Sequence, residues 1–284
     1  MELQHTDLIS DILDSKGSLI LVALFLLLFA SESIFALRRR IQSRARRVVI
    51  NTIVSIPAFI SLRLVFMPVV VWIAFKAQAL EFGLFHLLAL PTWINFLAAF
   101  LFLDYGNYLW HVLLHRLPIL WRFHLVHHTD LDLDVLTATR FHFVELFASV
   151  IFRGGIIFML GVPPQTVLIY EIVFEAATQF HHSNLRLPVK LETMLGKIFV
   201  TPRMHGIHHS IIKHETDSNY SVIFSFWDRL HKTLRLSVHQ DALIIGVPSY
   251  QNADELTGWF LLKLPFTKIR SWTKGFLTRT NGLR

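Results

Sequence analysis

Cysteine is absent from the chain. Its absence removes disulfides, thiolate-held iron–sulfur clusters, thiolate zinc sites and a cysteine nucleophile at one stroke. Charge is scarce too: 17% of the 284 residues are Asp, Glu, Lys or Arg against 53% apolar, a balance shifted away from ordinary soluble domains. Also missing are a Gly-rich dinucleotide fingerprint, an internal repeat, a low-complexity linker and any long aromatic-basic ribbon of the nucleic-acid type. No nucleic-acid partner is expected. The net charge of +7 sits on basic residues beside apolar blocks, where orientation in a bilayer and contact with anionic headgroups account for it.

What the chain has instead is long apolar blocks. The first, SLILVALFLLLFASESIFAL (18–37), is long enough to cross a bilayer as a helix. Glu2, Asp7, Asp11 and Asp14 precede it in place of a basic leader region, which reads as a retained span rather than a cleaved signal. The loop RRRIQSRARR (38–47) follows, and the positive-inside rule assigns it to the cytoplasm. A second run, 48–75, is interrupted by Pro57, Arg63 and Pro68 and reads as one long or kinked span. A third, LFHLLALPTWINFLAAFLFLDY, returns the chain to the cytoplasmic side. Residues 146–160 and 164–180 form a helical hairpin about GVPP. This count brings every histidine-rich motif to one face of the membrane.

Three of those motifs share a spacing. His111 and His115 in HVLLH stand at i and i+4; His124, His127 and His128 in HLVHH stand at i, i+3 and i+4, as do His205, His208 and His209 in HGIHH. On a helix these positions share one face, so each motif aims its imidazoles at one point. An isolated HVLLH reads as two interfacial histidines, but the triplet recurs about eighty residues later. Eight imidazoles exceed the four of a structural zinc site and the three of a catalytic one, which implies two metal ions. His181 and His182 in FHHSN, and His142 in TRFHFVE, are placed to complete the set. Imidazole suits iron, copper, nickel and zinc alike, so residue type leaves the metal open. The Glu and Glu-x-x-His pattern of soluble di-iron bundles is missing.

The ordered set DYGNYLWHVLLH, WRFHLVHH, TRFHFVE, FHHSN, TPRMHGIHHS, DSNYS and WDRLHKT resembles the fatty acid hydroxylase and sterol desaturase superfamily of membrane di-iron oxygenases, over roughly residues 100–235. That resemblance implies an all-α integral membrane protein: a transmembrane helix bundle under a cytoplasmic histidine-rich helical cap that holds a dinuclear site. It implies two iron ions, O2 as co-substrate and hydroxylation or desaturation of an unactivated C–H bond of a lipid. Its metal ligands carry over to His111, His115, His124, His127, His128, His205, His208 and His209, with His182 next and His181 and His142 behind. The sequence departs from the pattern at Phe143, where proline is usual, and at His231 and Lys232, where aromatic and glycine residues are common. On this reading residues 1–94 hold the N-terminal spans, 95–240 the catalytic domain with the hairpin, and 241–284 a C-terminal cytoplasmic segment.

Several polar residues invite roles beside the ligands. Asp104, two turns before His111, is a candidate acceptor for a ligand histidine's free N–H; Asn184, Glu145, Asp217 and Asn219 are read the same way. DLDLD (130–134) has Val135 where a calcium loop needs glycine and Phe141 where it needs glutamate, so a solvated turn is expected. Arg203 and Arg229 are expected to pair with Asp217 or Asp228, or to meet headgroups. His5, His86 and His239 read as ordinary surface or interfacial residues.

Electrons have to come from an external NAD(P)H-linked reductase or carrier at the cytoplasmic face, since the chain has no binding fingerprint for a nucleotide of its own. Lys190, Lys197, Lys213 and Lys232 are placed to steer an acidic carrier. Two rival functions remain open at this point: a zinc-dependent membrane hydrolase, for which Glu145 and Glu215 are the candidate bases, and a non-enzymatic metal carrier or pH sensor. The short termini and the lack of a fused carrier domain lean towards a bacterial inner membrane, with the endoplasmic reticulum as the alternative.

Overall fold

The computed structural model describes residues 16–272, so the acidic leader and His5 lie outside the described residues. Among the described residues the chain is helical, and pairing between extended segments is confined to isolated bridges such as Ala36 with Leu185. Four helices among the described residues are long and apolar enough to cross a membrane: α1 (Gly17–Ile34), the composite stretch Arg44–Leu88, α5 (Thr92–Arg116) and α7 (Phe143–Leu160).

Helix α1 is apolar on every face and buries few of its side chains, the pattern of a helix that meets lipid. The composite stretch contains α2 (Arg44–Ser61), a π-helical turn (Leu62–Phe66), α3 (Met67–Ala79) and a short α4 (Leu84–Leu88). A straight helix from Arg44 to Ala79 would measure roughly 54 Å, well beyond the ~30 Å hydrocarbon layer. The π turn and Pro68, at the start of α3, divide it.

The hairpin partner of α7 is α8 (Pro164–His182), reached through Gly161 in the left-handed region (φ +68°). Helix α8 is not among the four apolar helices, because Glu171, Glu175 and Gln179 interrupt its hydrophobic run. It nonetheless packs against α1, α3 and α5 inside the bundle. Phe66, Val70, Phe85, Leu103, Val167 and Tyr170 build the core there.

Over one end of the bundle lie α6 (Pro118–His128), α9 (Val189–Leu195), α10 (Pro202–His208), α11 (Lys213–Thr216) and α12 (Phe226–Leu230). Proline at the first turn of α6 and α10, and Thr201 as the cap of α10, start these short helices where the histidines need them. A C-terminal helix, α13 (Gly258–Lys263), packs on α2, and Val247, Tyr250, Leu261 and Leu264 share a second core with Ile50, Val54, Leu125 and Val126.

The DLDLD segment corrects an expectation. It is not a solvated turn: Asp130, Asp132 and Asp134 are all buried. Asp130 accepts from Arg47 at 2.8 and 3.2 Å and from Thr137 at 2.9 Å, Asp134 meets Arg47, and Asp132 accepts the backbone N–H groups of Ile41 and Gln42. Burial alone would raise the Asp130 carboxyl; the guanidinium groups of Arg47 and Arg140 outweigh it and hold the group at about 2. The basic loop is thus partly consumed inside the protein. Arg38 is buried and donates to Gln240 at 2.7 Å, while Arg44 reaches the buried Glu32 at 2.7 Å. Arg203 pairs with Glu192, and Arg229 donates to the carbonyls of Gly196 and Lys197; neither meets Asp217 or Asp228.

Candidate metal centre

All nine histidines expected as ligands come together in two buried groups. His111 and His115 from α5, His124 and His128 from α6 and His208 from α10 form one; His127 from α6, His182 from α8, and His205 and His209 at α10 form the other. Within each group the candidate ligand atoms lie within 4.8 Å of one another. The groups adjoin, with ring centroids 4.4 Å apart for His128 and His209, 5.1 Å for His205 and His208, and 5.2 Å for His124 and His127.

In the five-histidine group, one nitrogen of each of three rings is anchored and the other is left over. The Nδ1–H of His111 donates to the Tyr220 carbonyl at 2.8 Å and that of His208 to the Ser218 carbonyl at 2.8 Å, while Nδ1 of His124 faces the Glu145 carboxylate at 3.1 Å. Their Nε2 atoms are buried without a hydrogen-bond partner, as are both nitrogens of His115 and His128. A buried polar atom without a partner costs roughly 1–3 kcal/mol, so five converging imidazoles in this condition call for a ligand. In the second group Nε2 of His182 stands 3.0 Å from that of His127 and 2.9 Å from that of His205, with His205 and His209 at 3.2 Å. Nitrogens bonded at about 2.0–2.1 Å to one ion stand about 3 Å apart, so the spacing fits.

Burial first, and then the neighbouring imidazoles, hold His127, His128, His205, His208 and His209 well below the ordinary imidazole range. These rings are neutral at physiological pH, with lone pairs available to a metal.

The other candidates divide. Glu145 is in place on His124, and Asp217 stands 3.6 Å from Nδ1 of His115 while pairing with Lys213. His181 lies outside both groups, donating through Nδ1 to the Val222 carbonyl, with its ring 4.1 Å from that of His205. His142 is not at the centre: its Nδ1 accepts from the Val144 N–H to cap α7 and its Nε2–H donates to the Leu262 carbonyl, so both nitrogens are used. Phe143 after it fills the first helical position, where proline is well tolerated. Asp104 touches no histidine; it accepts from Trp227 Nε1 at 2.8 Å, the Phe224 N–H and the Tyr170 hydroxyl. Asn184 is exchanged with the backbone of Arg38 through both its amide atoms and holds the loop after α1.

Sequence reasoning missed the main chain of 218–222. The carbonyls of Ser218, Tyr220 and Val222 accept from His208, His111 and His181 respectively, so one segment orients rings from three helices. Asn219 adopts φ +52° and ties that segment to Met204 and Arg235. Asp228 accepts the N–H groups of Tyr220 and Ser221. Carbonyl roles leave no side-chain signature; the motif DSNYS was the available hint. Lys232, where glycine is common in the resembled pattern, also sits at positive φ (+58°), which is why glycine suits that place.

Beside the histidines opens a cavity of about 720 Å³. His111, His124, His127, His181, His182 and His205 line one part of it; apolar residues such as Leu21, Phe25, Ile56, Phe59 and Phe66 line most of the remainder. From His182 to Leu168 it follows α8 for roughly 21 Å.

The fatty acid hydroxylase family model matches residues 96–233, the stretch that carries all nine histidines. The chain belongs to the fatty acid hydroxylase superfamily. Among curated members it is 33% identical to the alkylglycerol monooxygenase of Danio rerio, over 66% of this chain and 41% of that protein. It is 31% identical to the ornithine lipid hydroxylase OlsE of Rhizobium tropici (51% of this chain, 43% of that protein) and 27% identical to the cholesterol 25-hydroxylase of Rattus norvegicus (56% and 53%). The chain thus spans about half the length, or less, of these superfamily relatives. No solved structure matches it.

Proposed function

We propose that the chain is a membrane-embedded oxygenase that hydroxylates an unactivated C–H bond of a lipid at a two-metal histidine centre. The observation that carries this reading is the opening of both histidine groups onto one long apolar cavity. His111 and His124 from the first group, and His127, His182 and His205 from the second, meet the space in which an alkyl chain would lie. Hydroxylation is preferred over desaturation because the matched relatives are named as hydroxylases and monooxygenases.

Two iron ions would be held by His111, His115, His124, His128 and His208 on one side and His127, His182, His205 and His209 on the other. When bound, they would supply dioxygen activation and the redox chemistry that zinc lacks. The protein contributes placement: α5, α6, α8 and α10 fix the imidazoles, and Glu145 and the 218–222 carbonyls fix their tautomers. The cavity orients the lipid and keeps water from the reacting bond. Against a hydrolytic reading, one oxygen of the Glu145 carboxylate is already engaged with His124. By the positive-inside rule the cap faces the cytoplasm, where a separate NAD(P)H-linked electron donor would dock.

Metal analysis of the purified protein, combined with mass spectrometry of lipids from cells with and without it, tests the reading. Two iron ions per chain and an oxygen-dependent gain of one oxygen atom are expected. Zinc with undiminished anaerobic turnover would overturn it.

A further inference from the structure

A polar track runs through the otherwise apolar cavity. Glu171, Glu175, Gln179 and His182 recur at i, i+4, i+8 and i+11 of α8, one continuous face, and all four line the cavity. Arg153 from α7 joins them and pairs with Glu171. The arginine is neutralised where it stands: beyond Glu171, its guanidinium lies 4.8 Å from the Phe66 ring centroid and 4.9 Å from that of Phe174.

Glu175 has no such partner. Among the described residues its carboxylate meets one polar group, the Gln179 amide at 3.4 Å. The other end of that amide, Gln179 Oε1, is buried and accepts nothing, on a residue only 5% exposed. Both residues line the same cavity; between them the carboxylate accepts one long hydrogen bond and the buried amide oxygen accepts none. Ionisable and amide groups inside a membrane protein are costly unless they are matched, which makes an unmatched pair a pointer to a ligand.

We infer that Glu175 and Gln179 form a subsite for a hydrogen-bond-donating polar group of the lipid, a hydroxyl or an ammonium. Glu175 lies seven residues before His182, roughly 10 Å along the helix axis. A lipid held there by its polar group presents to the histidines a carbon about that far along its chain, so the subsite selects amphiphiles and sets the position oxidised. This rests on the cavity being the lipid site.

The test is binding to the purified protein in detergent, independent of turnover. A fluorescent fatty-chain probe is displaced by hexadecane, hexadecanol or hexadecylamine, and each result is read as the ratio of wild type to variant so that micelle partitioning cancels. The alcohol and the amine are expected to bind about tenfold better to wild type than to Glu175→Leu, with hexadecane unchanged. Glu175→Gln should keep the alcohol and weaken the amine, because the amide oxygen still accepts from a hydroxyl but offers no charge to an ammonium. Gln179→Leu provides a second variant should Glu175→Leu fail to fold. Wild-type-to-variant ratios that are the same for all three competitors, or indifference to both leucine variants, overturn the subsite alone. Failure of the probe to bind at all overturns the cavity as the lipid site.

Discussion

The Nδ1 of His124 faces the Glu145 carboxylate at 3.1 Å, across 21 residues of sequence and between two helices. A carboxylate in that place fixes the ring's tautomer and strengthens its Nε2 as a donor to metal. Glu145→Ala should lower metal affinity by about 10–100-fold while leaving the helical content intact. Chelator competition with metal analysis reads the first, circular dichroism the second. Unchanged affinity would remove Glu145 from the centre.

The two histidine groups are separable by mutation. His209→Ala takes one nitrogen from the group of four, and His115→Ala takes one from the group of five. The smaller group, left with three ligands, is expected to lose its ion first as chelator is raised, so that His209→Ala retains about one metal per chain under conditions in which His115→Ala retains two. Identical loss from both variants would show the groups to bind as one unit.

Asp130 anchors the cap to α2 through Arg47. Removing one partner of a buried ion pair costs about 3–5 kcal/mol, so Asp130→Ala should lower the unfolding temperature markedly or abolish expression. With the folded carboxyl held at about 2 and its ordinary value at 3.8, the contribution is complete above pH 4 and disappears as pH falls towards 2. Thermal unfolding of wild type and variant across that range checks the sign: their difference should shrink on acidification.

Ile56 lines the cavity from α2 and is half-exposed, so a larger side chain can be tried there without disturbing a packed core. Ile56→Trp should narrow the space, shift turnover towards shorter or slimmer lipids and leave metal content as it is. A product profile identical to wild type would place the substrate elsewhere.

The parts of this molecule that were legible in the sequence are those set by local periodicity. The i, i+3, i+4 spacing of His124, His127 and His128 brings ring nitrogens to one side of a helix whatever the rest of the chain does. Asp104 shows the limit of that reasoning. Seven residues return to the same face as His111, yet they also separate the two by roughly 10 Å along the axis, beyond hydrogen-bond reach. The Asp130–Asp134 turn was unreadable for another reason: its partner Arg47 is 83 residues away, and an acidic turn looks solvated until that arginine is placed on it. His142 had motif support, but its two nitrogens were taken by a helix cap and by Leu262, a residue 120 positions distant.

Because alternate carbonyls of Ser218, Tyr220 and Val222 steer three imidazoles, ring orientation there is inherited from peptide geometry. The Asn219 side chain holds this rail to Met204 and Arg235, so the bearing of the rings also depends on that one anchor. Shortening or lengthening it by a single residue would swing every second carbonyl to the opposite side, and three rings from three helices would lose their bearings together.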